Sequence, residues 1–118
     1  MLTLPPFPAG SLKVFLSLAP ADMRKGIDGL SALTQSLLEQ DPLSGHLFCF
    51  FNKRGDKVKV LYWDRGGYCL FHKRLEAGRF HLDAFRDQKE PLRFSDLVLI
   101  LEGLDLKNAK RHTRFALP

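Results

Sequence analysis

Apolar and polar positions alternate from Leu12 to Leu18, with Leu12, Val14, Leu16 and Leu18 on one side and Lys13, Phe15 and Ser17 on the other. That period of two predicts a strand, ended by Pro20. The period then lengthens. Met23, Ile27, Leu30, Leu33, Leu37 and Leu38 recur at steps of three and four, which predicts one long amphipathic helix from Asp22 to Gln40. Asp22 is placed to cap its start. Asp41-Pro42 stops it, because proline disfavours helical geometry in the residue before it. Gly26 and Gly29 fall in its first turns, where each costs about 1 kcal/mol relative to alanine. Tight packing there, or a group approaching the backbone, would account for them.

Short apolar runs follow. His46 to Phe51 and Lys57 to Trp63 read as strands joined by the turn Asn52-Lys53-Arg54-Gly55-Asp56. Asp64-Arg65-Gly66-Gly67 makes the next turn. Tyr68 to Leu75 reads as a third strand, although Leu70, Phe71, Arg74 and Leu75 also fit a short helix. Arg79 to Leu82 is read as another short strand and Asp83 to Phe94 as a loop. The run Leu97 to Leu104 has no clear period. Ser95-Asp96 in front of it offers a cap and decides for a helix over a buried strand. The expected architecture is a single α+β domain spanning residues 1–118. It is an antiparallel meander of four or five strands, with the long helix packed on it and a short C-terminal helix. A proline-rich irregular start (1–11) and a basic tail (107–118) flank it.

Composition narrows the partner class. The 118 residues carry a formal charge of +5 with a pI near 9.5. Residues 53–79 alone come to +5 and residues 107–118 to +4, while residues 1–52 and 80–106 come to −1 and −3. Cations gathered in blocks favour a polyanionic partner more than the total charge does. The plainer alternative is a set of solvated turns and a frayed terminus. Cys49 and Cys69 lack a metal or redox spacing and sit in apolar runs, which suits a reducing cytoplasm. No run approaches the length of a membrane span, and the N-terminus lacks the features of a signal peptide.

The candidate chemistry is phosphate binding. Strand alternation puts Lys57, Lys59, Leu61 and Trp63 on one face and Val58, Val60 and Tyr62 on the other. With the turn cations Lys53 and Arg54, and with Lys73, Arg74 and Arg79, the lysines can follow a nucleic-acid backbone. Trp63 is a candidate base-stacking platform or a core residue. Arg24-Lys25-Gly26 and Gly29 place cations beside a helix start and its orphan amides, a second phosphate-binding candidate with the G-x-x-G shape of KH loops. Lys110 and Arg111 belong to a basic arm. Enzymatic signals are thin. There is no Walker loop and no G-x-S-x-G elbow, and His46, His72, His81 and His112 lack ligand spacing. No metal and no cofactor is expected.

Four strings carry a family resemblance: Asp22-Met23-Arg24-Lys25-Gly26-Ile27-Asp28-Gly29-Leu30, Asp41 to Phe48, Lys59 to Asp64, and Lys73 to Phe80. Together they resemble the small accessory proteins, often called TnpB, of the bacterial insertion-sequence-66 group of transposable elements. The resemblance runs from about Val14 to Asp105. It implies a helper of DNA transposition whose partners are the transposase and other proteins of the same element. The expectation that it is non-catalytic and binds DNA rests on the thin enzymatic signals and the basic blocks, with self-association open. Two other readings stand beside DNA binding. One is a protein adaptor that docks the transposase or a second copy through aromatics such as Phe15 or Trp63. The other is a small metal-dependent nuclease using Asp22, Asp28, Asp64 and Glu76, against which each carboxylate has a simpler local role.

Overall fold

A computed structural model describes residues 12–104. Five strands and two helices follow in the order β1 (Lys13–Ser17), α1 (Ile27–Ser36), β2 (Leu47–Phe51), β3 (Lys57–Asp64), β4 (Gly67–Arg74), β5 (Leu92–Arg93) and α2 (Phe94–Leu101), with a 3-10 turn at Asp83–Phe85. The strands form one sheet in the order β4-β3-β2-β1-β5. Residues 1–11 and the tail holding Lys110 and Arg111 lie outside the described residues.

The α+β class stands, but the sheet is mixed rather than an antiparallel meander. β1 and β2 run parallel, with Val14 opposite Leu47 and Ser17 opposite Phe50. A parallel pair needs a crossover connection, and α1 supplies it. β2, Leu-Phe-Cys-Phe-Phe, is buried at every position. Such an unbroken apolar run belongs to a central strand covered on both faces. β2–β3 and β3–β4 are antiparallel hairpins. The β3–β4 turn has Arg65 at φ 46° and Gly66 at φ 88°. Positive φ at both central residues gives the strand-matching twist of a type I′ turn.

The helix α1 is ten residues long, not nineteen. Residues 22–25 form a turn instead of the first helical turn. Lys25 N–H donates to the Asp22 carbonyl (3.1 Å) and Arg24 N–H to Asp22 Oδ1 (2.8 Å). Asp22 therefore caps that turn, and extended Gly26 is the N-cap of α1. At the other end Glu39 takes φ 53° and Gln40 N–H returns to the Thr34 carbonyl (3.1 Å), closing the helix before Pro42. Gly29 is explained by the stem of Lys25, which would stand 3.2 Å from an added Cβ; Gly26 has open space beside it.

Residues 79–82 form no strand. Phe80 N–H donates to the Gly55 carbonyl (2.7 Å), and its ring sits edge-on to Phe51 at 5.7 Å. Strand β5 lies instead within the stretch read as a loop, paired to Lys13 and Val14. The C-terminal helix is present and begins at Phe94. Asp96 accepts the Arg93 N–H (3.1 Å) at its start.

The two helices cover opposite faces of the sheet. Leu97 and Ile100 of α2 pack on Val14, Cys49, Val58, Val60 and Tyr62. Leu30 of α1 packs on Phe48, Phe50 and Leu61. Phe15 stacks on Phe48 at 5.5 Å, and Trp63 meets Tyr68 edge-on at 5.2 Å. Among the described residues no helix is long and apolar enough to cross a membrane.

Candidate nucleic-acid interface

Three segments meet at the end of the sheet where β2 turns into β3. The Asn52 side chain organises the turn: its Oδ1 accepts Lys57 N–H (3.0 Å) and its Nδ2 donates to Asp56 Oδ1 (2.7 Å). That bond from Asn52 is the main cause of the lowered Asp56 pKa. Gly55 takes φ 77°, which favours glycine, and Lys53 and Arg54 are left at the exposed tip. The chain leaving β4 is tied to this turn by Leu75 N–H to the Asp56 carbonyl (2.7 Å) and by the Phe80 bond to Gly55. Arg79 is thereby laid across Gly55, its Cβ 3.6 Å from where a Gly55 Cβ would stand. The chain leaving β1 joins through Ala21 N–H to the Phe51 carbonyl (2.8 Å).

Between these segments opens a cleft of about 230 Å³, lined by Lys53, Arg54, Arg79, His81 and Arg86, with Phe51 and Phe80 beside them. Among the described residues Asp83 is the one carboxylate in its lining, and Arg86 pairs with it at 3.2 Å. Around the corner, on the α1 face, Lys57 stands opposite Arg74 and Lys59 opposite His72. The His72 pKa is lowered, first by burial and then by the positive charges of Lys59, Lys57 and Arg74.

The nominated residues divide by what their charges already touch. Lys59 is buried, 9% exposed, and its ammonium donates to the carbonyls of Met23 (2.8 Å) and Lys25 (2.9 Å). It is a strut that holds the 22–25 turn against β3. Lys73 lies on the other face and donates to the Leu101 carbonyl at the end of α2 (2.6 Å). Arg24 pairs with Asp22 (2.7 Å) at the surface and lowers the Asp22 pKa to about 2. Arg74 pairs with Glu76 (2.7 Å), again at the surface. Exposed pairs of this kind hold their partners weakly and exchange readily for a phosphate. Lys25, Lys53, Arg54 and Arg79 are exposed and Lys57 is half-buried.

Sequence reading missed His72, His81 and Arg86. Alternation along β4 groups His72 with Tyr68, Leu70 and Arg74, but only the register with β3 sets that group on the face of Lys57 and Lys59. Arg86 sits in a polar stretch with nothing to mark it. Among the described residues no three His, Cys, Asp or Glu side chains gather closely enough to hold a metal ion. Cys49 is fully buried, which pushes its thiol pKa up, and burial together with Cys69 raises the Tyr62 pKa to about 12.

Comparison with known proteins agrees with the resemblance read from the four strings. The family model described as "IS66 Orf2 like protein" matches residues 12–111. The uncharacterized protein y4jC of Sinorhizobium fredii (strain NBRC 101917 / NGR234) is 36% identical over 104 residues, 88% of this chain and 89% of its own. The uncharacterized protein y4hO of the same strain is 32% identical over 108 residues, 91% and 94% of the two chains. No solved structure matches.

Proposed function

The chain belongs to the IS66 Orf2-like family, which ties it to the transposition machinery of these elements, and from that premise we propose that it is a non-catalytic accessory protein that binds DNA through its phosphates. The supporting observation is the meeting of cations distant in sequence at one end of the sheet. Lys53, Arg54 and Arg79 line the cleft, with Arg86 beside them. Lys57 and Arg74 extend the positive surface around the strand ends, and Arg24 and Lys25 flank it. Phosphate contacts position a protein on DNA without reading its bases, so this reading is of backbone binding.

The arrangement suits the task because the backbone is rigid where the charges are. Lys53 and Arg54 project from a turn fixed by Asn52 and Gly55, and Arg79 is fixed over it. Long, mobile cationic side chains on a rigid base can track a polyanion with little ordering of the main chain. Of the nominated set, Lys59 and Lys73 contribute to the local field while their ammonium groups stay with backbone carbonyls.

The test is a binding titration with fluorescent duplex DNA at low salt. The double variant Lys53→Ala/Arg54→Ala is expected to bind at least about tenfold more weakly than the parent, each lost contact being worth roughly 1 kcal/mol. Unchanged affinity would remove the proposal. Co-purification with the element's transposase that persists in high salt, without DNA affinity, would favour the adaptor reading instead, because apolar interfaces survive screening.

A further inference from the structure

Among the described residues the sheet has one long uncovered edge. β4 is its terminal strand, eight residues from Gly67 to Arg74, and among the described residues nothing pairs with its outer side. Proteins usually blunt such an edge with charge, proline, a bulge or brevity. The opposite edge is blunted, since β5 has two residues and follows Pro91. β4 has no such protection over Gly67 to Phe71, which carry no charge and no proline.

Which backbone groups point outward follows from the hairpin. Gly67 pairs with Asp64 across a two-residue turn, and Leu75 N–H donates to the Asp56 carbonyl at the far end. In an antiparallel ladder, hydrogen-bonded pairs alternate. Cys69, Phe71 and Lys73 therefore bond inward to β3, and Tyr68, Leu70, His72 and Arg74 present their N–H and C=O groups outward.

We infer that β4 is an interface between two copies of this chain, joined antiparallel about a two-fold axis at Phe71 into one continuous sheet. The occupant is indicated by self-complementarity. With Phe71 facing Phe71, Leu70 faces His72 and Tyr68 faces Arg74, so every outward group on those four residues finds a partner. In this register no cation lies opposite another: Lys73 faces Cys69, and the charged end of each strand meets the uncharged end of its mate. A parallel pairing would align the cations instead. Because the other sheet edge is short and proline-flanked, the assembly closes as a dimer rather than growing into a fibre. α1 and α2 lie on the sheet faces and leave this edge open. The inference does not depend on DNA binding.

The experiment is sedimentation of the full chain over a range of concentrations, with hydrogen exchange read residue by residue on the same samples. A dimer mass is expected, with the amides of Tyr68, Leu70, His72 and Arg74 becoming protected as dimer forms. Those of Cys69 and Phe71 should be protected throughout. His72→Pro removes one outward N–H from an exposed position without touching the β3 ladder, and is expected to abolish the dimer; His72→Thr, which keeps the N–H, is expected to retain it. A single-chain mass at every concentration overturns the inference. So does a dimer in which those four amides still exchange freely, or one that survives His72→Pro. If His72→Pro fails to fold, the exchange pattern of the parent decides.

Discussion

At the scale of single residues, cations that look alike in the sequence do different work. Lys57 and Lys59 share a face two residues apart, yet only Lys59 has its ammonium enclosed by backbone carbonyls. Lys59→Met leaves the Met23 and Lys25 carbonyls without their donor. It should cost about 2 kcal/mol, the scale of a hydrogen bond to a charged group. Thermal unfolding should then fall by about 10 °C for a domain of this size. Lys57→Ala should shift stability by under about 0.5 kcal/mol and weaken DNA binding. The two variants, compared by melting and by titration, separate strut from contact.

His72 supplies the pH dependence. Its folded pKa lies below the ordinary 6.5 because of burial and three nearby cations. Between those values the unfolded chain holds the proton and the folded chain does not. Stability therefore falls as pH drops through about 6.5, and the loss levels off below the folded pKa. A bound phosphate reverses the local bias and favours the charged ring. DNA affinity should then rise as pH falls from about 7.5 to about 6, with proton uptake, and His72→Gln should flatten both trends. Denaturant melts and titrations at several pH values measure them.

At the scale of elements, α2 is held at both ends by side chains. Asp96 takes the Arg93 N–H at its start and Lys73 reaches the Leu101 carbonyl at its finish. Asp96→Ala should cost about 1 kcal/mol as a lost helix-start partner. Lys73→Met should cost about 1 kcal/mol as a lost charge at a helix C-terminus. The two sites share no partner, so in urea melts the double variant should cost their sum.

Periodicity made most of these elements legible. The alternation of Lys57 to Trp63 assigned both faces of β3 correctly, and Asp96 marked the first turn of α2, although Arg93 rather than Ser95 is its N-cap. Three things escaped it. Strand direction is not written in alternation, so the parallel β1–β2 pair was missed even though a helical stripe lay between the two strands. The stripe itself overran α1, because Met23 is apolar and in phase but belongs to a turn held by a lysine 36 residues away. β5 is two residues long, too short for any period to register.

At the scale of the whole molecule, the clustering of cations was foreseen only as two blocks of charge along the chain. What brings the first block together is the Asn52 turn and the bonds from Leu75 and Phe80 back to it, contacts no local pattern encodes. The same folding withdraws Lys59 and Lys73 from the surface count, since a sequence cannot show which ammonium will find a carbonyl.

The central claim is that this one end of the sheet is a phosphate-binding surface. Its most direct test is the salt dependence of duplex DNA binding. Five contacts, from Lys25, Lys53, Arg54, Lys57 and Arg79, predict a log–log slope of about −4.5, shallower by about 0.9 for each of the five removed. A slope near zero, or one that Lys53→Ala/Arg79→Ala leaves unchanged, would contradict it.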